Sequence, residues 1–199
     1  KIKIPRQDEH LAELLGILAG DGHLHSYQVS VTTNADTDFE HARYVRALIS
    51  ELFDVPVSIT RRKTSNAVVI LLSSKAACDF LVSKGMISGN KVAQQIRPPQ
   101  WILKNATFRK AYVRGLIDTD GCVYQDRHKV KEKRYSSLCI AFTNASKPLL
   151  DFVHDFWREN GFKPTRFGRN VRLRRRKDVL AYAKEVGFHN SKHAGKIEV

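Results

Sequence analysis

The chain has 199 residues, enough for one large domain or two small ones, and its 34 Lys and Arg against 20 Asp and Glu give a net charge of +14 at pH 7. That imbalance points to phosphate backbones as the partner, ahead of anionic membranes or acidic proteins. Three cysteines, Cys78, Cys122 and Cys139, without CxxC spacing signal neither a disulfide framework nor a zinc ribbon, and no apolar run reads as a membrane span or signal peptide.

In chain order, the spacing predicts a helix from Glu9 to Gly20, apolar on nearly every face apart from Glu13 and therefore central. "YQVSVTT" (27–33) alternates as a strand whose polar face carries Gln28, Ser30 and Thr32. A helix over 36–53 follows, with Phe39, Ala42, Val45, Leu48 and Leu52 on one side. "VPVSITRR" and "AVVILLS" read as strands, the first with Ser58, Thr60 and Arg62 on one face, and Lys75 to Lys84 as a helix stopped by Gly85. The two prolines of "QQIRPPQWILKN" (94–105) disfavour continued helix. Beyond them come a helix from Phe108 to Thr119, a long basic hairpin connection (125–135) that is either disordered or reaching for a partner, and the strand "RYSSLCIAFT". A helix from Pro148 to Glu159, strands "KPTRFG" and "VRLRRR", and a helix from Lys177 to Val186 complete the series.

The series is a repeat. Ala12, Gly16, Gly20, Asp21 and Gly22 return as Ala111, Gly115, Thr119, Asp120 and Gly121, each at an offset of 99. "VTTNAD" returns as "AFTNAS" at 110, and "SSKAACDFLVSKG" as "RRKDVLAYAKEVG" at 102. Each half therefore reads helix, two strands, helix, two strands, helix, in an α+β fold with repeats at 1–97 and 108–199 joined by a linker at 98–107. The spacing of Ala12, Gly16 and Gly20, matched in the second copy, leaves each first helix one strip without bulky side chains, along which two backbones can meet.

Asp21 and Asp120 fall at the C-terminal ends of those helices, where the helix dipole disfavours a negative charge by roughly 0.3–1 kcal/mol. If the helices pair about a pseudo-twofold axis, the two carboxylates also repel each other. A divalent cation removes both penalties, since hard ions take carboxylate and carbonyl oxygens, so Gly20 and Thr119 join the two acids in the expected metal site.

These residues carry a resemblance. "LLGILAGDG" and "VRGLIDTDG" look like the two signature motifs of the LAGLIDADG homing endonucleases in their single-chain, two-motif form, and the likeness runs from Glu9 to the C-terminal region. It implies two αββαββα repeats about a pseudo-twofold axis, with antiparallel sheets forming a DNA-binding saddle. It further implies that Asp21 and Asp120 hold a catalytic Mg²⁺, with Ca²⁺ as a non-catalytic substitute, and that the product is a staggered double-strand cut. Lys75 and Lys177 match a basic position near the family's active site, and Asn34 and Asn144 a polar, water-contacting one; exposed lysines and turn-forming asparagines are the plain alternatives. The first motif departs at its sixth position, Ala19, where the second has Asp118.

The expected DNA contacts are Gln28, Ser30, Thr32, Arg62, Arg166, Arg169, Arg172 and Arg174 from the strands, with Arg127, Lys129, Lys131 and Lys133 of the basic connection on phosphates. His23 and His25 read as hairpin-surface histidines, and "FHNSKH" (188–193) as a structural end segment. The partner expected is a long, asymmetric double-stranded target met by a monomer. The setting expected is intron-encoded and intracellular, in the cytoplasm or in an organelle. An RNA maturase and a non-cleaving DNA-binding protein are the rival functions.

Overall fold

Asp8 opens the first helix: its carboxylate accepts from the Leu11 amide at 2.9 Å, and α1 runs Glu9–Gly20. The structure is a computed structural model and describes residues 2–197. Strands β1 (Gly22–Leu24) and β2 (Gln28–Asn34), α2 (Phe39–Phe53), strands β3 (Ser58–Arg61) and β4 (Ala67–Ser73), and α3 (Lys75–Ser83) complete the first repeat. The linker contains a short helix, α4 (Gln100–Leu103), that its prolines had hidden. The second repeat is α5 (Ala106–Asp120), β5 (Gly121–Val130), β6 (Lys133–Thr143), α6 (Lys147–Glu159), β7 (Thr165–Phe167), β8 (Asn170–Leu173) and α7 (Arg176–Glu185), followed by α8 (Ser191–Ala194). Both repeats are αββαββα, and the fold is α+β.

Each repeat builds one antiparallel four-stranded sheet, in the orders β1-β2-β4-β3 and β5-β6-β8-β7. Period-two alternation assigns one face of each to the core: Val29, Val31, Val68, Ile70 and Leu72 in the first, Val123, Ile140, Phe142, Val171 and Leu173 in the second. The opposite face is open. The β5–β6 ribbon is longer than the sheet it belongs to, because β8 pairs with β6 only from Ile140 to Thr143. The basic connection expected at 125–135 is thus an ordered two-stranded arm, turned at Lys131 with φ 54°.

Helices α1 and α5 pack along their small-residue strips. A Cβ on Gly16 would lie 2.3 Å from the Tyr112 carbonyl oxygen, and one on Gly115 would lie 2.4 Å from the Glu13 carbonyl oxygen. Tyr112 and Glu13 are themselves mates at the offset of 99, so the contact is reciprocal and the repeats are related by a pseudo-twofold axis. Around this seam Leu11, Leu14, Leu15, Ile17 and Leu18 are buried, each burial contributing about 1.5–3 kcal/mol.

The repeats are also laced together beyond α3 and α7. After α3, Ile96 accepts from the Ser146 hydroxyl at 2.5 Å, and Gln95 from the Lys147 amide at 2.9 Å. After α7, Asn190 donates to Asp38 at 2.7 Å and Lys192 pairs with it at 2.6 Å. Ser146 and Asp38 stand at the N-caps of α6 and α2, so each repeat's trailing segment grips the middle helix of the other. No helix among the described residues is long and apolar enough to cross a membrane.

Candidate metal and nucleic-acid site

The helix ends decide where the two repeated acids go. Asp21 is the C-cap of α1, and Asp120 the last residue of α5. Both are half-buried. Asp120 leans over the end of α1, with Oδ2 3.3 Å from where a Gly20 Cβ would stand, and it accepts from Asn144 Nδ2 at 2.6 Å. Burial, and then the negative charge of Asp21, push the Asp120 pKa up to about 6. Asp21 is raised too, first by burial, with Lys91 opposing.

Lys91 is the residue that sequence reasoning missed. Its Nζ donates to the carbonyls of Leu18 (2.8 Å), Ala19 (3.1 Å) and Gly20 (2.7 Å), neutralising the negative end of the α1 dipole. Burial lowers its pKa, while the charges of Asp120 and Asp21 pull the other way. The charge of one ammonium therefore acts on both carboxylates. The Gly20 carbonyl, expected among metal ligands, is taken up by this lysine, and the Thr119 hydroxyl turns back to the Gly115 carbonyl at 2.9 Å.

Lys75 and Lys177 sit alike, near the starts of α3 and α7. Lys75 is exposed at the start of α3 and pairs with Asp79 at 2.8 Å, while Lys177 is exposed on α7. Neither is among the charges acting on Asp21 or Asp120. The asparagines divide: Asn144 holds both Asp120 and its own turn, whereas the Asn34 side chain accepts from the Asp36 and Thr37 amides at 2.9 and 3.0 Å.

On the first sheet's open face, Gln28 and Thr32 are exposed and Ser30 half-exposed; Arg62 is exposed just past β3. On the second, register puts Arg172 beside Ala141 and opposite Thr165, on the face carrying Cys122, Tyr124 and His128. Arg174 is exposed and pairs with Asp126 of the arm at 2.8 Å. Arg169, in the β7–β8 turn, borders the same cavity as Asp120, Asn144 and Lys91. Arg166 is corrected: it pairs across β7–β8 with fully buried Val171, on the core side, and bonds Asp151 of α6. Its neighbour Phe167, unremarked in the sequence, is 86% exposed on the open face. In the arm, Arg127 and Lys129 lie on the opposite ribbon face from His128, Lys129 pairs with Glu132 at 3.2 Å, Lys131 makes the turn, and Lys133 closes the last rung against Val130. His128 stacks on Tyr135 with centroids 5.7 Å apart. His23 and His25 are exposed, as expected.

A second polar cluster sits within the helix pair. Glu13, 1% exposed, accepts from Arg114 Nη2 at 2.5 Å, Tyr44 at 2.9 Å and His189 Nδ1 at 2.5 Å. Burial opposes its charge, yet the bonds from His189 and Arg114 hold its pKa below the usual carboxylate range. Asp118 accepts from the His189 amide at 2.8 Å, and burial raises its pKa to about 7. "FHNSKH" is therefore more than an end segment, since His189 and Asn190 join the two repeats through Glu13 and Asp38.

Comparison with known proteins completes the picture. Residues 107–187 match the family model described as a LAGLIDADG-like domain. The second repeat is thus similar to a LAGLIDADG-like domain, and the first repeats its αββαββα order. Over 130 residues it is 32% identical to one of the subunits of the A-type ATP synthase of Pyrococcus abyssi (strain GE5 / Orsay), an alignment covering 65% of this chain and only 12% of that protein. Full-length DUF199/WhiA from Thermatoga maritima superimposes with a TM-score of 0.62 at 18% identity, over 98% of this chain and 61% of that one. I-DmoI in complex with DNA and Mn superimposes with a TM-score of 0.55 at 20% identity, over 90% and 96% of the two chains. At such identities these structures show that the LAGLIDADG fold is shared.

Proposed function

We propose that this chain is a LAGLIDADG protein and a divalent-metal-dependent endonuclease that cuts double-stranded DNA. The observation that carries the reading is the convergence of Asp21 and Asp120 at one end of the α1/α5 pair, both resisting ionisation, with the charge of Asp21 adding to the effect of burial on Asp120. Two half-buried carboxylates are hard oxygen donors and suit Mg²⁺, which when bound supplies charge relief at a phosphate and a more acidic water. Asn144 fixes the Asp120 carboxylate, and Lys91 offers positive charge beside both acids. Arg169 at the mouth of the cavity and Arg172 on the open sheet give phosphates and base edges a cationic approach. The DNA and Mn in the I-DmoI complex support the same partner and class of ion. The small share of the Pyrococcus protein that aligns favours a setting inside a host reading frame over an intron-encoded one.

Lys91 favours one rival: a non-cleaving DNA-binding protein in which its ammonium stands in for the ion. Incubating the protein with a randomised duplex library separates the two readings. Cleaved ends with Mg²⁺, none with Ca²⁺, and none after Asp21→Asn or Asp120→Asn are expected; selectively bound but intact DNA in Mg²⁺ would overturn the nuclease reading.

A further inference from the structure

The polar cluster of Glu13, Asp118 and His189 is not something this fold needs. At the offset of 99 its acids correspond to Tyr112 and Ala19, and at 102 its histidine corresponds to Ile87. The pseudo-symmetric place on the other side of the seam is thus built from an aromatic ring, a methyl group and an aliphatic chain. At that place one side of the seam has no acid and no imidazole, while the other buries two carboxylates beside a histidine.

We infer that Glu13, Asp118 and His189 form a second divalent-cation site, for a borderline ion of the Zn²⁺ or Co²⁺ type, separate from Asp21 and Asp120. One ligand atom from each lies within 4.8 Å of the other two, and the set comes from α1, α5 and the segment after α7. An imidazole nitrogen with two carboxylate oxygens is a donor set for such ions. Asp118 supplies the independent sign of a ligand: it is 1% exposed, and its Oδ1 has no hydrogen-bond partner among the described residues. A buried carboxylate oxygen without a partner is costly unless something binds it. The ion takes the place of the His189 Nδ1 to Glu13 Oε1 contact, with modest side-chain opening, and Arg114 keeps the second Glu13 oxygen.

The site has a way in. A surface cleft lined by Glu9, His10, Glu51 and Tyr44 reaches Glu13 and His189, and His189 is 39% exposed. Its acidic rim attracts cations on a chain that is otherwise strongly basic. The site is distinct from the first: Asp118 and Asp120, two positions apart on a helix, face nearly opposite ways, and Glu13 lies about 12 Å along α1 from Asp21 at ~1.5 Å per residue.

The test uses the full chain with Asp21→Asn and Asp120→Asn together, so that the first pair of acids cannot report. Titration with Co²⁺ is expected to fill one site, giving the visible absorption of a nitrogen-ligated ion and raising the melting temperature. Adding His189→Gln or Asp118→Asn is expected to weaken uptake at least tenfold, with circular dichroism confirming that each variant is folded. No Co²⁺ uptake, or uptake indifferent to both substitutions, would overturn the proposal and leave the cluster a metal-free charge network.

Discussion

Asp120 is a carboxylate held against the stability of the fold. With its pKa raised to about 6, the folded protein retains a proton that the unfolded chain has released above the ordinary carboxylate range near 4. Stability from this residue is therefore lost as pH rises between those values, and the penalty is complete above them. Asp120→Asn is expected to melt higher than the wild type at pH 7, by about 1–3 kcal/mol, with the gap closing below about pH 4, while cleavage disappears. Melting curves across that range check it; a gap independent of pH would assign the effect to something other than the carboxylate. Lys91→Met, which removes three carbonyl contacts and the nearby positive charge, is expected to destabilise by roughly 1–2 kcal/mol and to slow cleavage at least tenfold. Asp21 and Asp120 were legible because the repeat duplicates them in register at helix ends. Lys91 was not, since it comes from an irregular segment more than seventy residues from the carbonyls it caps, and its mate at the offset of 102 is His193. The same duplication sets Lys75 and Lys177 at equal positions near the starts of α3 and α7, where both are exposed and Lys75 pairs with Asp79.

At the scale of elements, the helix seam is the strictest requirement. The atoms that a Gly16 or Gly115 side chain would meet are backbone, which cannot rotate away. Gly16→Ala and Gly115→Ala are each expected to cost about 1–3 kcal/mol, read from denaturant melts. Gly161 is a useful contrast, since its φ of +81° demands glycine although no neighbour lies within 4 Å. Helices and strands were legible from periodicity almost throughout, because one face of each meets a core. The arm was not, since from Arg127 to Ser136 it has no core to face and its composition reads as a loop. Arg166 was misassigned for a different reason: the Gly168–Arg169 turn fixes which residues of β7 and β8 oppose one another, and composition does not reveal that register. Replacing residues 127–136 with an Asn-Gly turn, which leaves Asp126 opposite its partner Ser137, is expected to keep the melting temperature within a few degrees and to weaken DNA binding about tenfold or more, measured by fluorescence anisotropy.

Across the whole molecule, charge is divided unevenly. Residues 1–97 hold 12 Lys and Arg against 10 acids, a net +2, whereas residues 98–199 hold 22 against 10, a net +12. The first open sheet carries mostly amide and hydroxyl side chains, and the second carries arginines. DNA affinity is expected to fall steeply with salt, as counterions return to the phosphates, and losing an arginine or lysine of the second repeat that contacts a phosphate is expected to lower the log–log slope by about one. Thr32→Ala in the first sheet is expected to leave that slope unchanged.

The crossed grips beyond α3 and α7 bear on how such a chain could be divided. Because the start of each middle helix is held by its neighbour's trailing residues, a gene cut between Arg97 and Pro98 would yield two fragments that each lack a clasp and expose the glycine seam. Neither fragment has a self-sufficient shape to settle into. Mixed together, they would recover it by complementation.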